Sequence, residues 1–239
     1  MLKYSISTIF VLLIGFSAVA QNDSIANDSI RYAQKYGLRL GGDLSKIAKT
    51  VIDDDYTGFE INADYRLSKN LFVAGEIGTE EKTTSNTYLN ATAKGSYFKG
   101  GIDYNMYKNW LNMENMIYAG FRVGASTFSQ TINSYTIYTI DQSWPQNTVT
   151  DGTKHSGLNA IWTELIFGLK AELINNVYIG FNVQLKGRIT EKEPNNFENL
   201  FIPGFGRTYD SGRFGIGFGY NISYLVPIYK KTKKAPAEE

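Results

Sequence analysis

The chain has no cysteine, one histidine and only 5 prolines among 239 residues. Without cysteine there can be no disulfide framework, zinc ribbon or thiol catalysis, and no lipid attached through an N-terminal Cys. An excess of charge of one sign is also lacking. Lys+Arg number 24 and Asp+Glu 23, so nothing in the bulk charge points to nucleic acid or to an acidic partner. Beyond the first twenty residues there is no long apolar run, which excludes a membrane-spanning helix in the mature chain. A β-barrel is not excluded, because a barrel strand needs only every second residue to be apolar. What is abundant is aromatic and small: 17 Tyr, 14 Phe and 23 Gly.

Residues 1–20 read as a secretory signal peptide. Lys3 gives the positive start, Ile9 to Phe16 the apolar run, and Ala18 and Ala20 the small-x-small pattern before Gln21. The run is too short to span a bilayer, which takes about 20 residues. Residues 21–35 follow as an expected flexible periplasmic tail. Within it Asp23-Ser24-Ile25 is repeated as Asp28-Ser29-Ile30, a short Asp-Ser-apolar pattern resembling an O-glycosylation acceptor of Bacteroidota. Residues 230–239 read as a basic, polar C-terminal tail, with Lys230, Lys231, Lys233 and Lys234.

Between the tails, residues 36–229 carry a period-two alternation that decides the fold class. It is clearest from Val177 to Arg188. There Val177, Ile179, Phe181, Val183 and Leu185 share one face, and Tyr178, Asn182, Gln184, Lys186 and Arg188 the other. At 100° per residue the apolar set would scatter around a helix axis. The same rhythm runs through Phe59–Leu67, Phe98–Met106, Glu164–Leu173 and Phe214–Tyr224. It is weaker in Tyr36–Leu44, Leu71–Thr79 and Ile117–Thr127. These segments make eight strands.

The connections also alternate. Ser68-Lys69-Asn70, Tyr107 to Glu114 and Ile174-Asn175-Asn176 are short, whereas Thr50–Tyr56, Glu80–Thr92, Phe128–Ser156 and Glu191–Tyr209 are long. Short turns at one end and long links at the other are the habit of outer-membrane barrels. The expected fold is therefore all-β: an eight-stranded antiparallel up-and-down transmembrane β-barrel, its apolar stripes meeting lipid. Tyr65, Tyr104, Tyr107 and Trp110 fall near the short-turn ends, where an aromatic girdle would lie.

The opposite stripes carry Arg39, Arg66, Lys99, Arg122, Lys170, Lys186 and Arg188. Against them stand Asp43, Glu60, Asp64, Glu76, Asp103, Glu164 and Glu172. An eight-stranded barrel is only wide enough to be filled by side chains. These charges are expected to pair and plug it, leaving function to the outer links or the lipid face.

Catalytic, cofactor and metal signals are weak, and no site residue is assigned. His155 and Ser156 are adjacent, so in a strand they point to opposite faces, out of reach as base and nucleophile. Ser126 and Ser129 are the other serines considered. Asp53-Asp54-Asp55 and Glu80-Glu81 are oxygen-rich but lack the spacing of a calcium loop. The long links are rich in aromatics, with Trp144-Pro145, Phe197, Phe201 and Phe205. They suit either a protein or glycan partner or a seal over the barrel mouth.

Several stretches resemble a Bacteroidota family of outer-membrane β-barrel-like proteins that carries only a domain-of-unknown-function label. They are Asp54-Asp55-Tyr56-Thr57-Gly58, Asn109-Trp110-Leu111-Asn112-Met113-Glu114-Asn115-Met116, Ser156-Gly157-Leu158-Asn159-Ala160, and Asn195-Asn196-Phe197-Glu198-Asn199-Leu200-Phe201-Ile202-Pro203-Gly204-Phe205. The likeness runs from about Tyr36 to Lys230. It implies an outer-membrane location and a barrel, and it brings no activity, cofactor or catalytic residue. The expected role is structural or one of surface interaction, with outer-membrane lipid as the surroundings. The alternatives are a soluble periplasmic lipocalin-like binder, which needs an apolar interior, and an enzyme acting on outer-leaflet lipid.

Overall fold

The computed structural model describes residues 33–107, 114–137, 147–195, 197–209 and 212–232. Residues 1–20, expected to be a signal peptide, and Ser24, Ser29, Trp110, Trp144-Pro145, Lys233 and Lys234 lie outside the described residues.

The strands of the wall are β1 (Ala33–Asp43), β2 (Tyr56–Arg66), β3 (Leu71–Ser85), β4 (Leu89–Asn105), β5 (Met116–Thr136), β6 (Thr148–Ile174), β7 (Val177–Glu191) and, last in the chain, β10 (Phe214–Thr232). A nine-residue helix, α1 (Leu44–Ile52), follows β1, and a small hairpin of β8 (Phe201–Ile202) and β9 (Gly206–Arg207) precedes β10. Each wall strand pairs antiparallel with its sequence neighbour. β10 pairs with both β7 and β1, so the eight strands close into a ring.

The alternation of the sequence becomes the two faces of this wall. Outside stand Phe98, Leu165, Phe167, Leu169, Leu185, Phe214 and Ile216, each largely exposed. Inside stand Arg39, Asp64, Lys99, Asp103, Arg122, Glu164 and Lys170, each buried. Among the described residues no helix is long and apolar enough to cross a membrane.

Three features differ from the sequence expectation. First, the links Glu80–Thr92 and Phe128–Ser156 are largely strand. β3 and β4 stay paired out to Ser85↔Asn90, and β5 and β6 out to Thr136↔Thr148. These extensions carry Thr, Ser and Asn on both faces (Thr83, Thr92, Asn133, Thr153), so their alternation is invisible in hydropathy. Second, β1 begins at Ala33 and β10 reaches Thr232, a little beyond the expected limits on both sides. Third, the wall is broken by α1. Asp43 ends β1 as an N-cap, its carboxylate accepting from the Ser45 backbone N–H at 2.7 Å. Leu44, Ile47, Ala48 and Val51 then recur at helical spacing. The Gly41-Gly42-Asp43-Leu44 run still reads as strand alternation, which hides the switch.

At the short-turn end, Leu67 and Ser68 donate to the Leu71 carbonyl. Asn176 takes φ +69° in the Ile174–Val177 turn, a left-handed conformation that Asn tolerates better than most residues. Tyr104 is exposed at this end, while Tyr65 and Tyr107 are half-buried.

Candidate functional site

The interior is a continuous set of ion pairs. Nearest the short turns, Arg66 meets Glu114 at 2.5 Å and Lys35 meets Glu172 at 2.9 Å. One layer further in, Asp64 takes Arg39 Nε at 2.6 Å and Lys170 Nζ at 2.5 Å. At mid-height Arg122 holds Asp103 at 2.8 Å, and Lys99 lies 2.7 Å from Glu76 and 3.4 Å from Glu60. Glu164, with no exposed side chain, stands between Lys99 at 3.8 Å and Lys186 at 3.5 Å and accepts from Trp162 Nε1 at 2.7 Å. Every charged residue assigned to the inner face from the sequence lies within this interior or at its ends, buried or half-buried. Mutual pairing is what lets buried charges persist. The free space among Asp64, Glu76, Asp103 and Arg122 is only ≈ 30 Å³, room for about two waters.

Above the ion pairs the mouth is stoppered by the chain itself. Residues 201–205 descend into the barrel, where Ile202 and Phe205 pack with Tyr97, Phe128, Leu158, Ala160 and Trp162. Phe205 meets the Trp162 ring edge-on with centroids 6.1 Å apart. Polar contacts fix the stopper. Lys186 Nζ donates to the Gly204 carbonyl at 2.7 Å, and the Gly204 N–H donates to Glu80 at 2.6 Å. Gln130 donates to the Glu198 carbonyl and accepts from Leu200 N–H. The link 191–209 therefore seals the mouth, one of the two uses its aromatics suggested.

Glu80 is the residue the sequence reading misplaced. It lies not in an outer acidic link but inside β3, buried, receiving Lys46 at 2.5 Å, the Tyr56 hydroxyl at 2.6 Å and the stopper. Its neighbour Glu81 points out and pairs with Lys94 at 2.8 Å. The parity of β3 carries this split and was the signal available in sequence.

Gly204 has φ +83°, and a Cβ there would sit 2.6 Å from Tyr97 Cγ. Gly204→Ala combines left-handed backbone strain of about 1–3 kcal/mol with a ring collision. It is expected to loosen the hairpin and raise tryptic cleavage after Arg207 in the folded barrel about tenfold or more. Unchanged cleavage would mean that the stopper is not held at this point.

The other sequence candidates stay apart. His155 is half-buried on β6 opposite Gln130. Ser126 faces inward opposite Ala160, four residues along β5 from Gln130, or about 13 Å at strand rise. No hydrogen bond joins His155 to a serine among the described residues. Asp53 closes α1 and binds Lys82 at 3.0 Å. That hydrogen bond and the Asp55 N–H lower its pKa from the ordinary carboxylate value. Among the described residues no three His, Asp or Glu are placed to hold a metal ion.

A large open cleft, of ≈ 790 Å³, lies at the long-link end. α1, the outer half of β2, the β8–β9 hairpin and the outer half of β10 enclose it. Its lining includes Lys49, Tyr56, Phe205, Ile216 and Phe218. The molecule is thus an eight-stranded antiparallel barrel with an ion-paired interior, a stoppered mouth and one side cleft. The chain belongs to the family described as Domain of unknown function (DUF6048), whose model matches residues 1–231. No curated protein and no solved structure matches it.

Proposed function

We propose that this protein is an outer-membrane β-barrel, exported by a cleaved signal peptide and closed to ions. Its role is structural or in surface interaction through the outer ends of its strands. One observation carries this reading: the exterior is a belt of exposed Leu, Ile, Phe and Tyr, while the charges are inside and paired. Hydrocarbon tolerates a sheet of that polarity closed into a ring, whereas water favours the reverse. A soluble lipocalin-like binder needs an open apolar interior, whereas here ion-paired Arg, Lys, Asp and Glu run through the middle and the apolar cluster at the mouth is filled by the chain's own Ile202 and Phe205. The barrel's length along β5 and β6, 21 and 27 residues, exceeds the ~9–11 residues that cross a bilayer. The surplus lies at the long-link end and forms a ribbon suited to a protein or glycan partner at the cell surface. The resemblance to Bacteroidota barrels agrees with this placement.

The cysteine-free chain offers a direct topology test. Thr87→Cys, in the tight turn between β3 and β4, is expected to react with a membrane-impermeant maleimide on intact cells. Asn175→Cys, at the short-turn end, is expected to react only after lysis. Reversed or equal reactivity overturns the orientation. In planar bilayers the purified barrel is expected to show no steady conductance, and large single-channel steps would overturn the closed interior.

A further inference from the structure

The wall of the barrel is interrupted at one place. β1 pairs with β10 only as far as Asp43↔Asn221 and with β2 only as far as Gly42↔Ile61. Beyond that point Phe214–Tyr220 of β10 pair with β7 alone, and Tyr56–Glu60 of β2 pair with β3 alone. In an antiparallel strand alternate residues direct N–H and C=O to each side, so both strands turn backbone groups toward the gap. Only α1 fills it. The helix is held by side chains rather than by a ladder. Thr50 Oγ1 accepts from Gly58 N–H at 2.9 Å, and Lys46 reaches Glu80. The outward face of α1 is greasy, with Leu44, Ile47, Val51 and Ile52 all exposed.

The cleft lies at this gap, and its lining is drawn from both faces of the wall. It touches Phe205 and Lys186, which are interior, and also Ile216 and Phe218, which stand on the outer face of β10. Its height can be read from the register. Phe218 is six residues above Tyr224, which pairs with Val177 at the short-turn end. That is about 20 Å along the strand and less along the barrel axis once strands tilt, within an apolar band about 25 Å tall. A volume of ≈ 790 Å³ falls in the range of small-molecule sites, about 300–1,000 Å³. The charges at its upper end are nearly all spoken for. Lys82 is bound by Asp53, and Lys46 by Glu80. Asp55 and Arg207 also line the cleft and are exposed, Arg207 lying over the Tyr209 ring. Lys49 makes no ion pair among the described residues and lies 3.9 Å from the centroid of the Tyr56 ring.

We infer that the gap between β10 and α1 admits a single-chain acyl amphiphile sideways from the bilayer. Its hydrocarbon lies between Ile216, Phe218 and Phe205, and its anionic head beside Lys49. A fatty acid and the anionic head of a lysophospholipid share this chemistry. The inference rests on the membrane placement proposed above.

The full chain in phospholipid vesicles is irradiated with a diazirine-bearing palmitate, and adducts are located by peptide mass spectrometry. Labelling is expected at the interior residues Phe201 and Phe205. It should fall at least fivefold with excess palmitate, and also in Ala48→Trp, which fills the cleft from α1. Phe98 and Phe167, on the outer belt elsewhere, should stay labelled in both cases. Excess lysophosphatidic acid in place of palmitate distinguishes the two sources by which competes at lower concentration. Lys49→Glu is expected to weaken competition by either anion severalfold while leaving a neutral monoacylglycerol unchanged. Equal effects on charged and neutral competitors overturn the place given to the head. Adducts confined to the outer belt, or Phe205 adducts indifferent to competitor, overturn the inference while leaving the membrane reading intact. Recovery of the folded chain in buffer without detergent overturns both.

Discussion

Asp64→Ala is expected to lower the unfolding free energy of the barrel by about 3–5 kcal/mol. Asp64 lies on β2 with a side chain only 6% exposed, and it is the shared anion of Arg39 on β1 and Lys170 on β6. Removing it strands two buried cations together. Among the described residues Arg39 still meets the Phe72 and Tyr178 rings and Met116 Sδ, and Lys170 the Tyr118 ring at 5.4 Å. None of these carries a full negative charge. Urea unfolding from vesicles, followed by the fluorescence of buried Trp162 with Trp110 and Trp144 replaced by Phe, would read the loss. Glu81→Ala is the control. Its pair with Lys94 is 41% and 68% exposed, so its removal is expected to cost less than about 1 kcal/mol. Adding Lys170→Met to Asp64→Ala should restore part of the loss, because one of the two orphaned charges goes. Similar small effects at Asp64 and Glu81 would show that the interior is wet and screened.

Much of this architecture is legible in the sequence because one physical contrast writes it. Where the wall has apolar side chains on one face and paired ions on the other, each strand alternates, as from Val177 to Arg188. The inner set from Arg39 to Lys186 follows directly from parity. Legibility stops where the contrast stops. In Lys82–Ser85, Asn90–Thr92, Ser129–Thr136 and Thr148–Ser156 polar residues predominate on both faces, so the strand persists through backbone pairing with little hydropathy signal. α1 is hidden because Gly41 to Leu44 satisfy strand parity, and because a nine-residue helix shows only two turns of its own period. The β8–β9 stopper has strands of two residues, too short for any period. Its position depends on Glu80, Gln130 and Lys186, which are distant in sequence. The side cleft is a consequence of both omissions. It exists because a helix replaces part of a strand and a hairpin folds under it.

Leu169→Arg is the substitution whose cost depends most on what surrounds the barrel. Leu169 stands on the outer face of β6, 49% exposed, between its register partners Ile117 on β5 and Phe181 on β7. It is five residues from Ile174 at the short-turn end, about half of a ~9–11-residue crossing, and so near mid-depth. An Arg on the lipid face there costs about 2–4 kcal/mol, falling to roughly 0–1 near the interface. On a surface bathed by water the same change would stay within about 0.5 kcal/mol. Leu173, 62% exposed and next to the turn, supplies the depth control. In vesicles Leu169→Arg is expected to lower the unfolding free energy by about 2–4 kcal/mol and Leu173→Arg by less than about 1 kcal/mol. That gradient is a property of hydrocarbon, because both side chains stand on the outer face, away from the ion-paired interior. Equal, negligible costs at both sites would mean that water, not lipid, bathes the apolar belt.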